Sequence, residues 1–347
     1  MMPDSVFEVI LVGDSGNISR YKPDPVLSLL TKHLATPNPS AVIFLGDNVY
    51  PNGLPEKGDR LRADAELVLQ KHHEAVKNYS GKVIFISGNH DWNKGKDDGF
   101  DYVIRQEKYI EKLFGGENVY LPSRGCPGPK EVSVNDELTI VAINTQWWIQ
   151  RGFRPIGAKD GCSAGSEAEF FTLLEEMINR NKNKKVLVVG HYPVYSYSLH
   201  GGKFKFKHHL FPLTIYRKKA FMPLPVVGSL LPLYRKYIGA PEDLSHLRFR
   251  TLKKKLKTIF ANHPNLIYAA GHEHNLQHIY KNQVNYIISG AASKSTYVRK
   301  GKYGKFALAA KGFFKLKFTS NQKTVAESWI VDEFDENGKM VYQAELD

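Results

Sequence analysis

Several short stretches of this chain place metal-competent side chains beside glycine at the ends of apolar runs. They read "DSG" (14–16), "GDNVY" (46–50), "GNHD" (88–91), "VVGH" (188–191) and "GHEH" (271–274). Together they offer Asp14, Asp47, Tyr50, Asn89, His90, Asp91, His191, His272 and His274. His272 and His274 are two apart, so on an extended backbone they point to the same side. A set of mixed oxygen and nitrogen donors this large suits two transition-metal ions better than one. Two ions ~3.5–4 Å apart can clamp a phosphate ester and activate a water between them. Each residue alone has a plainer reading. Asp14 and Asp47 could cap helices, Asn89 could satisfy a turn, and Tyr50 and His191 could be bonded core residues. Their ordered recurrence at successive strand ends is what carries the metal reading.

The elements that must position these groups repeat one pattern. "VFEVILVGDSG", "SAVIFLGDNVYPNG" and "GKVIFISGNHDW" each precede a helical stretch, namely "DPVLSLLTKHLA", "LRADAELVLQKHHEAVKNY" and "DYVIRQEKYIEKLF". The strands are too apolar to alternate. This predicts an α/β fold with buried strands and a site at their C-terminal ends. The second half is richer in strands. A hairpin over "EVSVNDELTIVAINTQ" leads to a helix near 166–181, the strand "KKVLVVGH", a helix over "LRFRTLKKKLKTIFAN" and the strand "LIYAAGHEH". "FFKLKFTS", "TVAESWIVDEF" and "MVYQAEL" read as closing strands. With no repeat and no flexible linker, residues 1–347 read as one domain with a two-layered β core.

With 42% hydrophobic and 24% charged residues, the 347-residue chain has the composition of an ordinary globular protein. No run approaches the ~20 apolar residues of a membrane span. "MMPDSVFEVILVGD" lacks a basic leader and a cleavage site, so it reads as a first strand. The chain is then cytosolic, or the mature or excised form of an exported protein. Cys126 and Cys162 flank the hairpin and are either free thiols or a disulfide, which would imply an oxidising compartment. The net charge of +13 is uneven. Residues 200–260 hold fourteen Lys and Arg against Glu242 and Asp243, and 294–317 hold eight and no acid. Two basic segments on an acidic body suggest anionic partners.

The ordered motifs resemble the calcineurin-like metallophosphoesterase superfamily and, within it, the purple acid phosphatases. "GHYPVYSYSLHG", "GHEHNLQH" and "ISGAAS" resemble the tartrate-resistant acid phosphatase type. The resemblance covers about residues 8 to 295. It implies a layered α/β-β/α sandwich of two mixed sheets flanked by helices. It also implies two metal ions, Fe(III) plus Fe, Zn or Mn. Asp14, Asp47, Tyr50 and His274 would bind the first metal and Asn89, His191 and His272 the second, with Asp47 bridging. Tyr50 marks the purple subclass. Other members of the superfamily often carry a histidine two residues after the first aspartate, where this chain has Gly16. The implied reaction is hydrolysis of phosphomonoesters by a metal-bound hydroxide. His90 would protonate the leaving group with help from His200, and Asp91 would orient His90 or a ligand. The resemblance, with a Cys126–Cys162 pair, favours an extracytoplasmic location.

The chain departs from that pattern in "DSGNIS" and in a long excursion at about 203–240, where "HLFPLTIY" and "FMPLPVVGSLLPLY" lie between Lys and Arg. Prolines there deny a continuous helix, and "KFKFKHH" reads as a strand with one charged face. The insertion is a lid packed on its own domain, or a flap facing an anionic membrane or an amphiphilic substrate. Nucleic acid is the weaker alternative. Two other functions compete with the phosphomonoesterase: a diesterase or pyrophosphatase acting on nucleotide or lipid-linked substrates, and a docking module with a vestigial core. The intact donors at every motif argue against the last.

Overall fold

The computed structural model describes residues 5–35, 40–217, 219–264, 266–319 and 323–346. Lys218 and Ser320, which the sequence reading placed in the insertion and a closing strand, lie outside the described residues. In the first half, β1 (Ser5–Val12), α1 (Pro25–Leu34), β2 (Ser40–Phe44), α2 (Arg62–Val76), β3 (Lys82–Phe85) and α3 (Gly99–Phe114) alternate as expected. Asp24 starts α1 by accepting the amides of Val26 and Leu27, both at 3.0 Å. There follow β4 (Lys130–Ser133), β5 (Leu138–Ala142), α4 (Glu167–Arg180) and β6 (Lys185–Val189). The insertion contributes α5 (Phe206–Leu210) and α6 (Leu230–Tyr237). Then come α7 (Leu247–Ala261), β7 (Ile267–Ala270), β8 (Leu276–Lys281), β9 (Val284–Ser289), β10 (Gly304–Leu308), β11 (Gly312–Thr319), β12 (Thr324–Ile330) and β13 (Lys339–Glu345).

The strands form two mixed sheets, of order β13-β12-β11-β1-β2-β3 and β10-β8-β9-β7-β6-β5-β4. Strands β1, β2 and β3 run parallel, as do β5, β6, β7 and β9. Alternate residues explain why the runs are apolar throughout. Val9 and Leu11 join Ile140, Leu187 and Ile287 in a cluster drawn from both sheets. Ile10 and Val12 pack with Val26 and Leu30 of α1. Both faces of each central strand are buried, so periodicity of two disappears.

The expected strand over "KFKFKHH" is instead a turn into α5. A strand needs a ladder partner, and here the Lys205 amide donates to the His208 ring at 3.2 Å. Cys126 and Cys162 form a disulfide with Cα atoms 5.5 Å apart, which joins the loops around them. No helix among the described residues is long and apolar enough to cross a membrane.

One buried contact ties a helix to the site. His72 of α2 bonds the Ser15 hydroxyl at 2.7 Å and the Val68 carbonyl at 2.8 Å, and burial lowers its ring from 6.5 to about 4. A histidine held neutral in the fold stabilises fully above its unfolded value, and that stability is lost as pH falls from 6.5 towards 4. The loss amounts to about 3 kcal/mol. Denaturant unfolding at a series of pH values should show His72→Gln losing less stability than wild type across that window. Parallel curves for the two proteins would contradict it.

Candidate metal centre

Each proposed donor sits where a parallel strand ends. Asp14 follows β1, Asp47 and Tyr50 follow β2, Asn89 to Asp91 follow β3, His191 follows β6, and His272 and His274 follow β7. Asp14, Asp47 and His272 hold left-handed backbones, with φ of 58°, 55° and 68°. That conformation is uncommon for side chains larger than glycine and concentrates at functional sites. Neither aspartate caps a helix. The Asp14 carboxylate accepts the His272 amide at 2.7 Å, and Asp47 accepts the His90 amide at 2.8 Å.

The donor atoms gather in two sets. The Tyr50 hydroxyl lies 3.2 Å from Asp14 Oδ1, 2.9 Å from Asp47 Oδ2 and 3.1 Å from His274 Nε2. The Asn89 Oδ1 lies 3.1 Å from both His191 Nε2 and His272 Nδ1, and His191 Nε2 is 3.5 Å from Asp47 Oδ1. Asp47 thus turns one oxygen to each set. The two histidines of "GHEH" serve different sets, because the left-handed backbone at His272 breaks the extended path that would point them the same way. Glu273 between them turns aside, accepting the Ser196 hydroxyl at 2.5 Å and the Gly201 amide at 3.0 Å.

Outer contacts choose the ring nitrogens. His191 Nδ1 donates to the Leu45 carbonyl at 2.8 Å, and His272 Nε2 donates to the Glu242 carbonyl at 2.7 Å. The opposite nitrogen of each ring therefore turns towards the space beside Asn89 Oδ1, where the three atoms would converge on a cation. Burial lowers His272 well below the usual imidazole range and brings His274 to about 4, so both are held in the neutral, ligating form.

The charge balance fits cations. Burial pushes Asp14 up to about 8, with Asp47 adding to the rise and His191 opposing it. Burial also works to raise Asp47, but His191, His90 and the bonds from the His90 amide and Tyr50 hydroxyl hold it below its usual value. Burial, Asp47 and Asp14 push the Tyr50 phenol well above 10. Two buried carboxylates, a phenol and several imidazole nitrogens converge with little water, a donor set suited to a metal cation. Asp14, Asp47 and His191 place ligand atoms within 4.8 Å of one another. Gly88 keeps the cradle open, since a Cβ there would lie 2.3 Å from Asp47 Oδ1.

Asp91 is buried away from the donor atoms. Its Oδ2 accepts the amides of Gly88 at 2.7 Å and Asp47 at 2.9 Å and the Asn48 side chain at 3.1 Å. Its Oδ1 accepts the Asn48 amide at 3.0 Å and Gln106 of α3 at 2.8 Å. It orients a ligand, Asp47, and not the His90 ring. It is a positioning residue, in the second of the two orienting roles expected for it. His90 stands at the rim, its Nδ1 on the Pro51 carbonyl at 2.5 Å and its Nε2 3.8 Å from Asp47 Oδ2. The His200 ring lies tilted against His272 with ring centroids 4.4 Å apart, and its Nδ1 meets Asp243 at 3.1 Å.

Sequence reading missed Glu242, Asp243, Arg235 and Lys294. Arg235 of α6 bonds Asp243 with Nε 3.0 Å from Oδ2, so the insertion braces His200 while the neighbouring Glu242 carbonyl braces His272. Lys294 sets its ammonium 3.9 Å from the Tyr50 ring centroid. Its place directly after "ISGAAS" was the available signal; the insertion residues carried none.

Asp91→Asn exchanges an acceptor oxygen for a donor NH₂ amid five donors. It should cost about 3–5 kcal/mol, the scale for removing one partner of a buried charged network. Metal bound per chain should fall with it, while a Gln106→Ala variant should lose less of both. Thermal unfolding and elemental analysis test this, and an Asp91→Asn protein with wild-type stability and metal content would refute the clamp.

Comparison with known proteins bears on this geometry. The chain matches the model of the calcineurin-like phosphoesterases over residues 7–220. Curated protein sequences give no match. Among solved structures the chain is similar to GAP50, the anchor in the inner membrane complex of Plasmodium, with a TM-score of 0.55 and 15% identity over 99% of this chain and 89% of that one. It is similar to the purple acid phosphatase PPD1 from yellow lupin seeds, with a TM-score of 0.57 and 13% identity over 98% of this chain and 53% of that one. It is also similar to PhoD, with a TM-score of 0.54 and 8% identity over 99% and 69% of the two chains. At such identities these likenesses concern the fold. The family match spans more than half the chain and includes the strand ends of Asp14, Asp47, Asn89 and His191, so the protein belongs to the calcineurin-like phosphoesterase family.

Proposed function

We propose that the protein is a dinuclear-metal phosphatase that hydrolyses phosphomonoesters. The observation that carries this reading is the division of Asp47 between two donor sets. Asp14, Tyr50, His274 and Asp47 Oδ2 would hold one cation, and Asp47 Oδ1, Asn89, His191 and His272 the other. Such a pair of cations lowers the pKa of water and neutralises phosphoryl oxygens. Burial and then Asp47 and Asp14 raise the Tyr50 phenol, which would join its set as a phenolate, an oxygen donor suited to a hard cation. That supports Fe(III) in its set, with Fe, Zn or Mn in the other.

The chain's own residues would do the rest. His90 stands beside Asp47 at the partly exposed rim, with Nδ1 anchored on Pro51, so its Nε2 is free to meet a phosphate ester and pass a proton to the departing oxygen. Burial works against a charged His200, yet its bond to Asp243 keeps the ring above the usual imidazole value, which favours a second cationic group beside His272. Lys294 over Tyr50 adds positive charge to the same mouth. The Cys126–Cys162 disulfide supports an extracytoplasmic location.

Purified protein should carry two metals per chain and absorb in the visible through tyrosinate-to-iron charge transfer, and Tyr50→Phe should remove that band. A colourless protein fully loaded with zinc or manganese would reject iron but not the hydrolase. Less than one metal per chain would reject the enzyme. His90→Ala should lose about 10²–10⁴-fold in kcat on alkyl phosphates and far less on p-nitrophenyl phosphate, whose leaving group needs little protonation. Equal losses on the two substrates would remove the proton-donor role.

A further inference from the structure

The insertion exposes an inverted helix. On α6, residues 230, 233, 234 and 237 recur at the spacing of one helical face. Leu230 is 66% exposed, Leu233 42%, Tyr234 44% and Tyr237 60%. The opposite face buries Pro232 and Arg235, the latter closed on Asp243. A helix of a globular domain ordinarily turns its apolar stripe to the core and its charge to water. Here the stripe faces solvent and the cation faces the protein. Phe206, Phe221 and Val226 of the same insertion are also exposed.

A groove of about 970 Å³ runs beside this stripe. Lys236 and Tyr237 of α6 line it, with Arg250, Lys253, Lys254 and Lys257 of α7. Among the described residues no carboxylate lines it. Tyr237 belongs to both the stripe and the groove, and Leu247, 72% exposed, also lines the groove, so the basic and apolar surfaces meet there. Burial first, and then the neighbouring Lys257 and Arg250, lower the Lys253 ammonium to about 8.

The chemistry selects the occupant. A second copy of the chain meeting this face through itself would oppose one set of lysines with another. A nucleic acid would match the cations but leave the aliphatic Leu230, Leu233 and Leu247 facing its backbone. An anionic bilayer offers phosphates at its surface and an apolar boundary just beneath, in the arrangement this face presents. We propose that α6 and α7 dock the protein on an anionic phospholipid surface, with the groove taking headgroup phosphates and the α6 stripe entering the headgroup–acyl boundary. The surface stands whether or not the metal centre is catalytic. Arg235 links the two regions, since its outward neighbours on α6 would meet lipid while it holds Asp243 beside His200.

Sedimentation of the full chain with vesicles tests this. The protein should pellet with equimolar phosphatidylcholine and phosphatidylserine, and not with phosphatidylcholine alone. Binding should weaken at high salt. The pair Leu230→Ser, Tyr237→Ser and the pair Arg250→Glu, Lys254→Glu should each weaken binding at least about tenfold. All four positions are exposed, and unchanged thermal transitions and p-nitrophenyl phosphate turnover would show intact folds. If either pair shifts the transition, the single changes Leu230→Ser and Lys254→Glu take its place. Failure to pellet with anionic vesicles overturns the proposal, as does wild-type pelleting by both variant pairs. A single-stranded oligonucleotide held more tightly than the vesicles would assign the groove to nucleic acid. A dimer in sedimentation velocity that dissolves in Leu230→Ser, Tyr237→Ser would assign the stripe to a second copy. Either result overturns lipid docking.

Discussion

Asp14 and Asp47 are held side by side, 0% and 1% exposed, where their charge has almost no water to meet it. A buried carboxylate is costly unless it is paired or bound to a metal. Much of the surrounding structure answers that cost. Backbone amides of His272 and His90 bond the two carboxylates, and His191 reaches Asp47 Oδ1. The remaining demand for positive charge is one that a bound cation would meet. The left-handed backbones at Asp14, Asp47 and His272 cost on the order of 1–3 kcal/mol each, and they are over-determined by neighbours. The Asp14 amide donates to the Gly46 carbonyl and the Asp47 amide to Asp91.

That pocket can form only when two sheets meet. One sheet supplies the ends of β1, β2 and β3, and the other the ends of β6 and β7. The cluster containing Val9, Leu11, Leu187 and Ile287 fixes the separation of the sheets and with it the separation of the donors. Asp91 then fixes the loops within the first sheet, joining the end of β2, the end of β3 and α3 through one carboxylate. A third layer of support comes from just after the insertion, through the Glu242 carbonyl on His272 and Asp243 on His200, with Arg235 of the insertion bonded to Asp243. A segment absent from the strand–helix rhythm is therefore wired to a donor of the metal centre, and its outer surface is unlike the rest of the molecule.

The sequence by itself determined β1 to β7 and β11 to β13, the buried character of the central ones and the residues at their ends, but not β8, β9 or β10. Both faces of β1 and β2 are covered, so their apolar runs are continuous and local. Glycine before Asp14, Asp47, Asn89, His191 and His272 was equally legible, because close approach at the site leaves no room for a Cβ, as at Gly88. Only the tertiary structure decided how those donors divide. The two histidines of "GHEH" part company because His272 adopts a left-handed backbone that residue spacing does not encode. Asp91 reads in sequence as one more site carboxylate, yet its five partners come from four residues on three segments, which makes it a clamp. "KFKFKHH" alternates like a strand, but alternation makes a strand only where a neighbouring edge is in reach, and here it coils into α5. The apolar residues of α6 have the spacing of a core-facing helix; that they face water depends on Arg235 finding Asp243, a contact of folded space between charges whose pairing residue order does not specify.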